Sequence, residues 1–223
     1  MKGIERRKVD KLEREEVFLN DNIADFPAAS PGGKALAELS AVISEIRTLA
    51  AEQVAAESSA RQHIGVKDEE IEALRQSVRG INRAAKAFTG EIPGSDLKFR
   101  LPRNRSEQNL LATARAFLAD AEPLKAKFIE YGLAADCLDK LEALIEAVEE
   151  RGAAADSAGE QKSGATGGLV EAIRRGMDIS RRLDSIVRIK YENNAARLSA
   201  WKTASRLERA PKKKTDEPEQ PAT

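Results

Sequence analysis

The sequence is short of the residues that carry most enzyme chemistry. It holds one histidine, His63, and one cysteine, Cys137. A di-iron site in a helical bundle takes two Glu-x-x-His motifs on separate helices. Neither exists here, because Ala60 stands three residues before His63 and no second histidine follows. His63 therefore reads as a surface or helix-end residue. A lone cysteine excludes an intramolecular disulfide and suits a reducing compartment, so the cytoplasm is the expected location. Long apolar runs are missing too. No stretch reaches the roughly 18 apolar residues of a membrane span, and Met1-Lys2-Gly3-Ile4-Glu5-Arg6-Arg7 stays charged where a secretory signal turns apolar. No excess of one charge exists: 37 basic residues balance 37 acidic ones. That balance argues against a dedicated nucleic-acid binder, which needs surplus Lys and Arg to meet phosphates. Period-two alternation of useful length is absent, so no sheet is expected.

What the sequence has is charge and helical periodicity. Charged residues make up 33% of the chain and aromatic residues only 4%, a balance that suits long helices better than sheets. Leu36, Leu39, Ile43, Ile46 and Ala50 alternate steps of three and four, and Ile71, Leu74, Val78, Ile81, Ala85 and Phe88 do the same. Such a/d seams bury one stripe against a neighbouring helix. The fold expected is all-α, an antiparallel bundle of about six amphipathic helices forming a single domain over residues 1–210, with a subdivision, if any, near 90–105.

The first helix should run from Ile4 to Asn20, with Val9, Leu12, Phe18 and Leu19 inward. A breaker cluster at Pro27 and Ser30-Pro31-Gly32-Gly33 precedes a long helix from Lys34. Unbroken to Phe88, that helix would be about 80 Å long at about 1.5 Å per residue, too long for a compact bundle, so a break is expected near Gly65. Thr89 to Asn104, with Gly90, Pro93, Gly94 and Pro102, reads as a loop. Ser106 can cap a fourth helix through Leu110, Ala114 and Phe117, and Pro123 opens a short one carrying Leu124 and Phe128. The fifth starts near Ala134, the sixth carries Leu169, Ile173 and Leu183, and a last short helix spans Ala195 to Arg209 with Trp201. The stretch 152–168, rich in Ala, Gly and Ser, reads as helix or loop, with a flexible connection favoured around Ser163-Gly164-Ala165-Thr166-Gly167-Gly168. Residues 211–223 lack apolar side chains and are expected to be a disordered charged tail.

Charge segregates between the fifth and sixth helices. Asp136, Asp139, Glu142, Glu146, Glu149 and Glu150 mark the first, while Arg174, Arg175, Arg181, Arg182, Arg188 and Lys190 mark the second. If the two form a hairpin, opposite charges flank their seam and fix its register.

No motif predicts catalysis or a cofactor or metal site. Pairs such as Glu142 with Glu146 match a solvated helix face better than a cation site. Cys137 reads as a small core residue rather than a reactive thiol, because Asp136 beside it opposes thiolate formation. The glycine-rich run before Leu169 lacks the Gly-Lys-Ser/Thr ending of a phosphate loop. Candidate interaction residues are Lys98, Arg100, Arg103 and Arg105 around Phe99, the tail lysines Lys212, Lys213 and Lys214, and Trp201, which is read first as a pin for its own helix and second as a partner anchor.

The stretch Leu183-Asp184-Ser185-Ile186-Val187-Arg188, with Lys190-Tyr191, Ala200-Trp201, Ala204-Ser205 and Glu208-Arg209-Ala210-Pro211-Lys212, resembles the C-terminal part of an uncharacterised family of bacterial all-helical proteins. The resemblance covers about thirty residues and implies a bacterial cytoplasmic helical protein with no assigned activity. The expected role is that of a non-enzymatic structural or interaction protein acting through its helix surfaces on a protein partner or a second copy. Two alternatives are a nucleic-acid accessory protein using the basic loop 98–105 and the tail lysines, and a small-molecule binder with an inter-helix pocket.

Overall fold

A computed structural model of the chain describes residues 3–104 and 106–208. Among these the structure is all-α, with no strand. The helices are α1 (Gly3–Asp21), α2 (Pro31–Ala87), the single turn α3 (Ser95–Lys98), α4 (Glu107–Ala121), α5 (Lys125–Glu130), α6 (Cys137–Lys190) and α7 (Ala195–Ala204). None of them is long and apolar enough to cross a membrane. The expected disordered tail at 211–223 lies outside the described residues.

Several ends follow local chemistry. The hydroxyl of Ser30 accepts from the Gly33 amide at 3.0 Å, and Pro31 takes the first helical position, where its missing amide proton costs nothing. The residues read as breakers thus start α2, three positions before Lys34. Ser106 caps α4 through the Asn109 amide, and Asn194 caps α7 through the Arg197 amide. After α5, Gly132 adopts φ 94°, and the Leu133 amide bonds back to the Phe128 carbonyl at 2.9 Å, which closes that helix. Pro123 sits in a 3-10 turn between α4 and α5.

Two expected breaks are absent. Helix α2 runs through Gly65 and α6 through the whole of 152–168. A glycine costs only about 1 kcal/mol against alanine in a helix interior, and neither proline nor capping chemistry accompanies these. The fifth and sixth helices are therefore one, and the acidic-against-basic hairpin does not form. The basic half of α6 pairs instead with α2, Arg175 with Glu45 at 2.6 Å and Arg182 with Glu38.

Nor do the described residues gather round one core. They divide into two compact units, one of residues up to Val54 together with those from Lys162 onward, the other Ala55–Gln161. The divisions fall inside α2 and α6 rather than in the loop at 90–105. This removes the objection to a long α2, which assumed a single compact bundle.

In the first unit α1, the start of α2, the end of α6 and α7 enclose Leu12, Leu19, Leu39, Ile43, Ile46, Leu183 and Trp201. Arg182 on Glu38, Arg175 on Glu45 and Leu49 on Gly168 show α2 and α6 running antiparallel there. A Cβ on Gly176 would come within 2.5 Å of the Leu12 side chain, so the glycine lets α1 lie close on α6. In the second unit α2, α4, α5 and α6 enclose Leu74, Val78, Ile81, Leu138, Leu141 and Val148. Four phenylalanines knit this core. Phe99 meets Phe117 and Phe128 with ring centroids at 5.3 Å, and Phe88 meets Phe128 at 5.1 Å, edge-on contacts that add to the area they bury.

Candidate interaction site

The basic loop has a definite seat. Ser95 is buried and donates to the Ala85 carbonyl at 2.8 Å, and the buried Asn82 amide donates to the Phe99 carbonyl at 2.6 Å. An unpaired carbonyl there would cost about 1–3 kcal/mol, so the bond holds the loop against α2. The chain beyond Phe99 then passes Arg79, Val78 and Arg75. Leu101 and Pro102 form, with these residues and Leu110, a pocket of about 110 Å³.

The outcome is an arginine face on the second unit. Arg75, Arg79 and Arg83 stand four apart on α2, with Lys86 beyond them, and Arg100 and Arg103 flank Leu101 and Pro102, which line the pocket with Arg75 and Arg79. Between residues 75 and 105 there are eight basic residues and two acidic ones, Glu91 and Asp96. Glu72 holds Arg75 at 3.3 Å and reaches Arg79 at 3.9 Å. Arg83, Lys86, Arg100 and Arg103 are exposed and have no ion pair among the described residues. Leu101, which lines the pocket, adds apolar surface.

Of the residues singled out from sequence, Arg100 and Arg103 thus share one face. Lys98 is tied to Asp120 at 2.9 Å. Phe99 is fully buried, so it offers no ring for a base to stack on. Arg105, Lys212, Lys213 and Lys214 lie outside the described residues. Trp201 is not a surface anchor: it is fully buried, its indole N–H donates to Asp184 at 2.8 Å, and it packs on Phe18 with centroids at 5.3 Å. Burial raises the Asp184 carboxyl, but hydrogen bonds from Arg188 and Trp201 outweigh it and hold the group below its ordinary value. Cys137 is half-buried at the start of α6, where burial pushes its thiol up. His63 lies within α2 rather than at a helix end. Sequence reading missed Arg75, Arg79 and Arg83, whose four-residue spacing was legible. Their proximity to the loop was not, because it depends on Asn82 reaching Phe99.

A second polar cluster lies inside the first unit. The Lys11 ammonium donates to Glu15 at 2.7 Å and to the Ser180 hydroxyl, which itself donates to Glu15 at 2.9 Å. Glu15 is fully buried and its second carboxylate oxygen has no partner. Burial pushes its carboxyl above the ordinary value, against the hydrogen bonds from Lys11 and Ser180. A serine beside a lysine can form a nucleophilic pair, but here Ser180 is 2% exposed and its hydroxyl is turned to Glu15. The cluster fixes α1 on α6. Its sequence signal was Glu15 on the stripe between Leu12 and Leu19. Among the described residues no group of three or more His, Cys, Asp or Glu is placed to hold a metal ion.

No family model, curated protein or solved structure matches the chain.

Proposed function

We propose that this chain is a non-enzymatic interaction protein that docks an anionic partner on the arginine face of its second unit. One observation carries the reading. Residues 55–161 hold 19 acidic and 15 basic side chains, yet Arg83, Lys86, Arg100 and Arg103 are left without a carboxylate among the described residues. A fold with acid to spare leaves these charges open to a partner, where complementary potentials set rate and specificity. A lone free cysteine, Cys137, suits a reducing compartment, and the bacterial cytoplasm is the location we propose.

Leu101 and the small apolar pocket beside it favour a protein partner over nucleic acid, because an interface core mixes arginine with apolar side chains. With Phe99 buried, the loop offers a nucleic acid no aromatic ring to stack on.

Retention on a heparin column tests the open face. The wild-type chain should elute at higher salt than R83E/R100E/R103E, with equal helicity by circular dichroism. Equal elution of the two would overturn the proposal.

A further inference from the structure

We propose that the partner of the arginine face is a second copy of this chain, presenting the acidic ladder Glu142, Glu146 and Glu150 of its α6. This deepens the anionic-partner reading and rests on it.

Two rows of opposite charge share one geometry. Arg75, Arg79 and Arg83 lie four residues apart on α2, and Glu142, Glu146 and Glu150 lie four residues apart on α6. Four residues of α-helix climb about 6 Å, so the rows have the same pitch and stay in step whichever way the helices run. Rows of this spacing are also the ridges through which helices most often pack. The three glutamates are exposed and have no ion pair among the described residues, whereas neighbouring Glu149 is spent on Arg115. Ala143 and Ala147 border the row on one side with short side chains, which lets a second helix approach from there. Both rows belong to the second unit, so every copy that offers one offers the other. A formal charge of zero removes the long-range repulsion that keeps charged proteins apart.

The contact is ionic at its centre and should be sensitive to salt. Light scattering on the full chain over a concentration series tests it in about 0.05 M and about 0.5 M salt, between which screening tightens from about 14 Å to about 4 Å. At low salt the mass of wild type should rise above that of a monomer, and at high salt it should return to it. R79E/R83E alone and E146R/E150R alone should each stay monomeric. Mixed in equal amounts they should associate again, because both rows are then reversed in complementary copies. A wild-type monomer at every concentration in low salt would overturn the proposal, as would association that neither reversal weakens or a mixture that does not recover. If that happens while R83E/R100E/R103E still loses heparin retention, the anionic partner is another molecule and the broader reading stands; loss of both results removes both readings.

Discussion

Tyr191 shows how one side chain ties the first unit's stability to pH. It is 5% exposed, its hydroxyl donates to Asp25 at 2.7 Å, and its ring meets Phe18 and Phe26 edge-on. Burial first, then the Asp25 carboxylate, pushes its pKa up to about 12 from 10.0. The folded chain therefore keeps this proton at a pH where the unfolded chain has lost it. The resulting stability is complete below about pH 10 and is lost as pH rises through about 12. In urea titrations followed by fluorescence, wild type should lose more stability across that window than Tyr191→Phe. Parallel curves would mean that Tyr191 ionises alike in both states. The same residue scale explains the interior of α1, where Lys11 and Ser180 between them satisfy one oxygen of Glu15 and leave the other bare. Removing Lys11 would strand a buried carboxylate, a change that ordinarily costs about 3–5 kcal/mol.

At the scale of the element, the glycines of α6 divide by what surrounds them. A Cβ on Gly168 would meet the Leu49 side chain at 3.2 Å, and one on Gly152 would meet the Lys67 ammonium at 3.3 Å. Gly164 and Gly167 have nothing within 4 Å. Replacing each of the latter two by alanine should stabilise the helix by about 0.5–1 kcal/mol, since alanine restricts the unfolded chain and fits the helix freely. Chemical denaturation of the double variant G164A/G167A checks this, and no gain in midpoint would show that the segment is not helical in solution. The contrast explains what could be read from the sequence. The a/d steps of Leu36 to Ala50 and of Ile71 to Phe88, the Ser106 cap and the turn at Pro123 were legible because each is a local preference that nothing opposes. Continuity through Gly65 and 152–168 was not, because it depends on long helical stretches on either side of a weak break. The start of α2 at Pro31 was hidden for a related reason: proline and glycine usually end helices, and only the Ser30 cap turns the same residues into a beginning. At the candidate site Arg100 and Arg103 were legible as charge, while the face they share with Arg79 needed the fold.

At the scale of the molecule, two cores divide the work of stability. Leu39 belongs to one and Leu74 to the other, and both are fully buried. Truncating either to alanine should cost about 2–5 kcal/mol. Trp201, the single tryptophan, lies in the first core, so its fluorescence follows that unit alone, whereas circular dichroism follows every helix. Leu39→Ala should lower the midpoint seen by fluorescence. Leu74→Ala should lower the midpoint of part of the dichroism signal and move the fluorescence midpoint less. Identical shifts by both probes would show one cooperative unit instead of two.

Away from the two cores the long helices bury few large side chains. From Ile46 to Ile71 in α2 the buried apolar residue is Ala56, and from Val148 to Leu169 in α6 the buried ones are Ala158 and Ala165. Methyl groups on successive turns are interchangeable, so these alanines do not by themselves tell one helical alignment from the next a turn away. Within these stretches the alignment of α2 with α6 is set by larger side chains, Leu49 against Gly168 in the first unit and Lys67 against Gly152 in the second. A slip of α2 on α6 by one turn would move Leu49 off Gly168 in the first unit, or Lys67 off Gly152 in the second, and lose the close approach that each glycine allows.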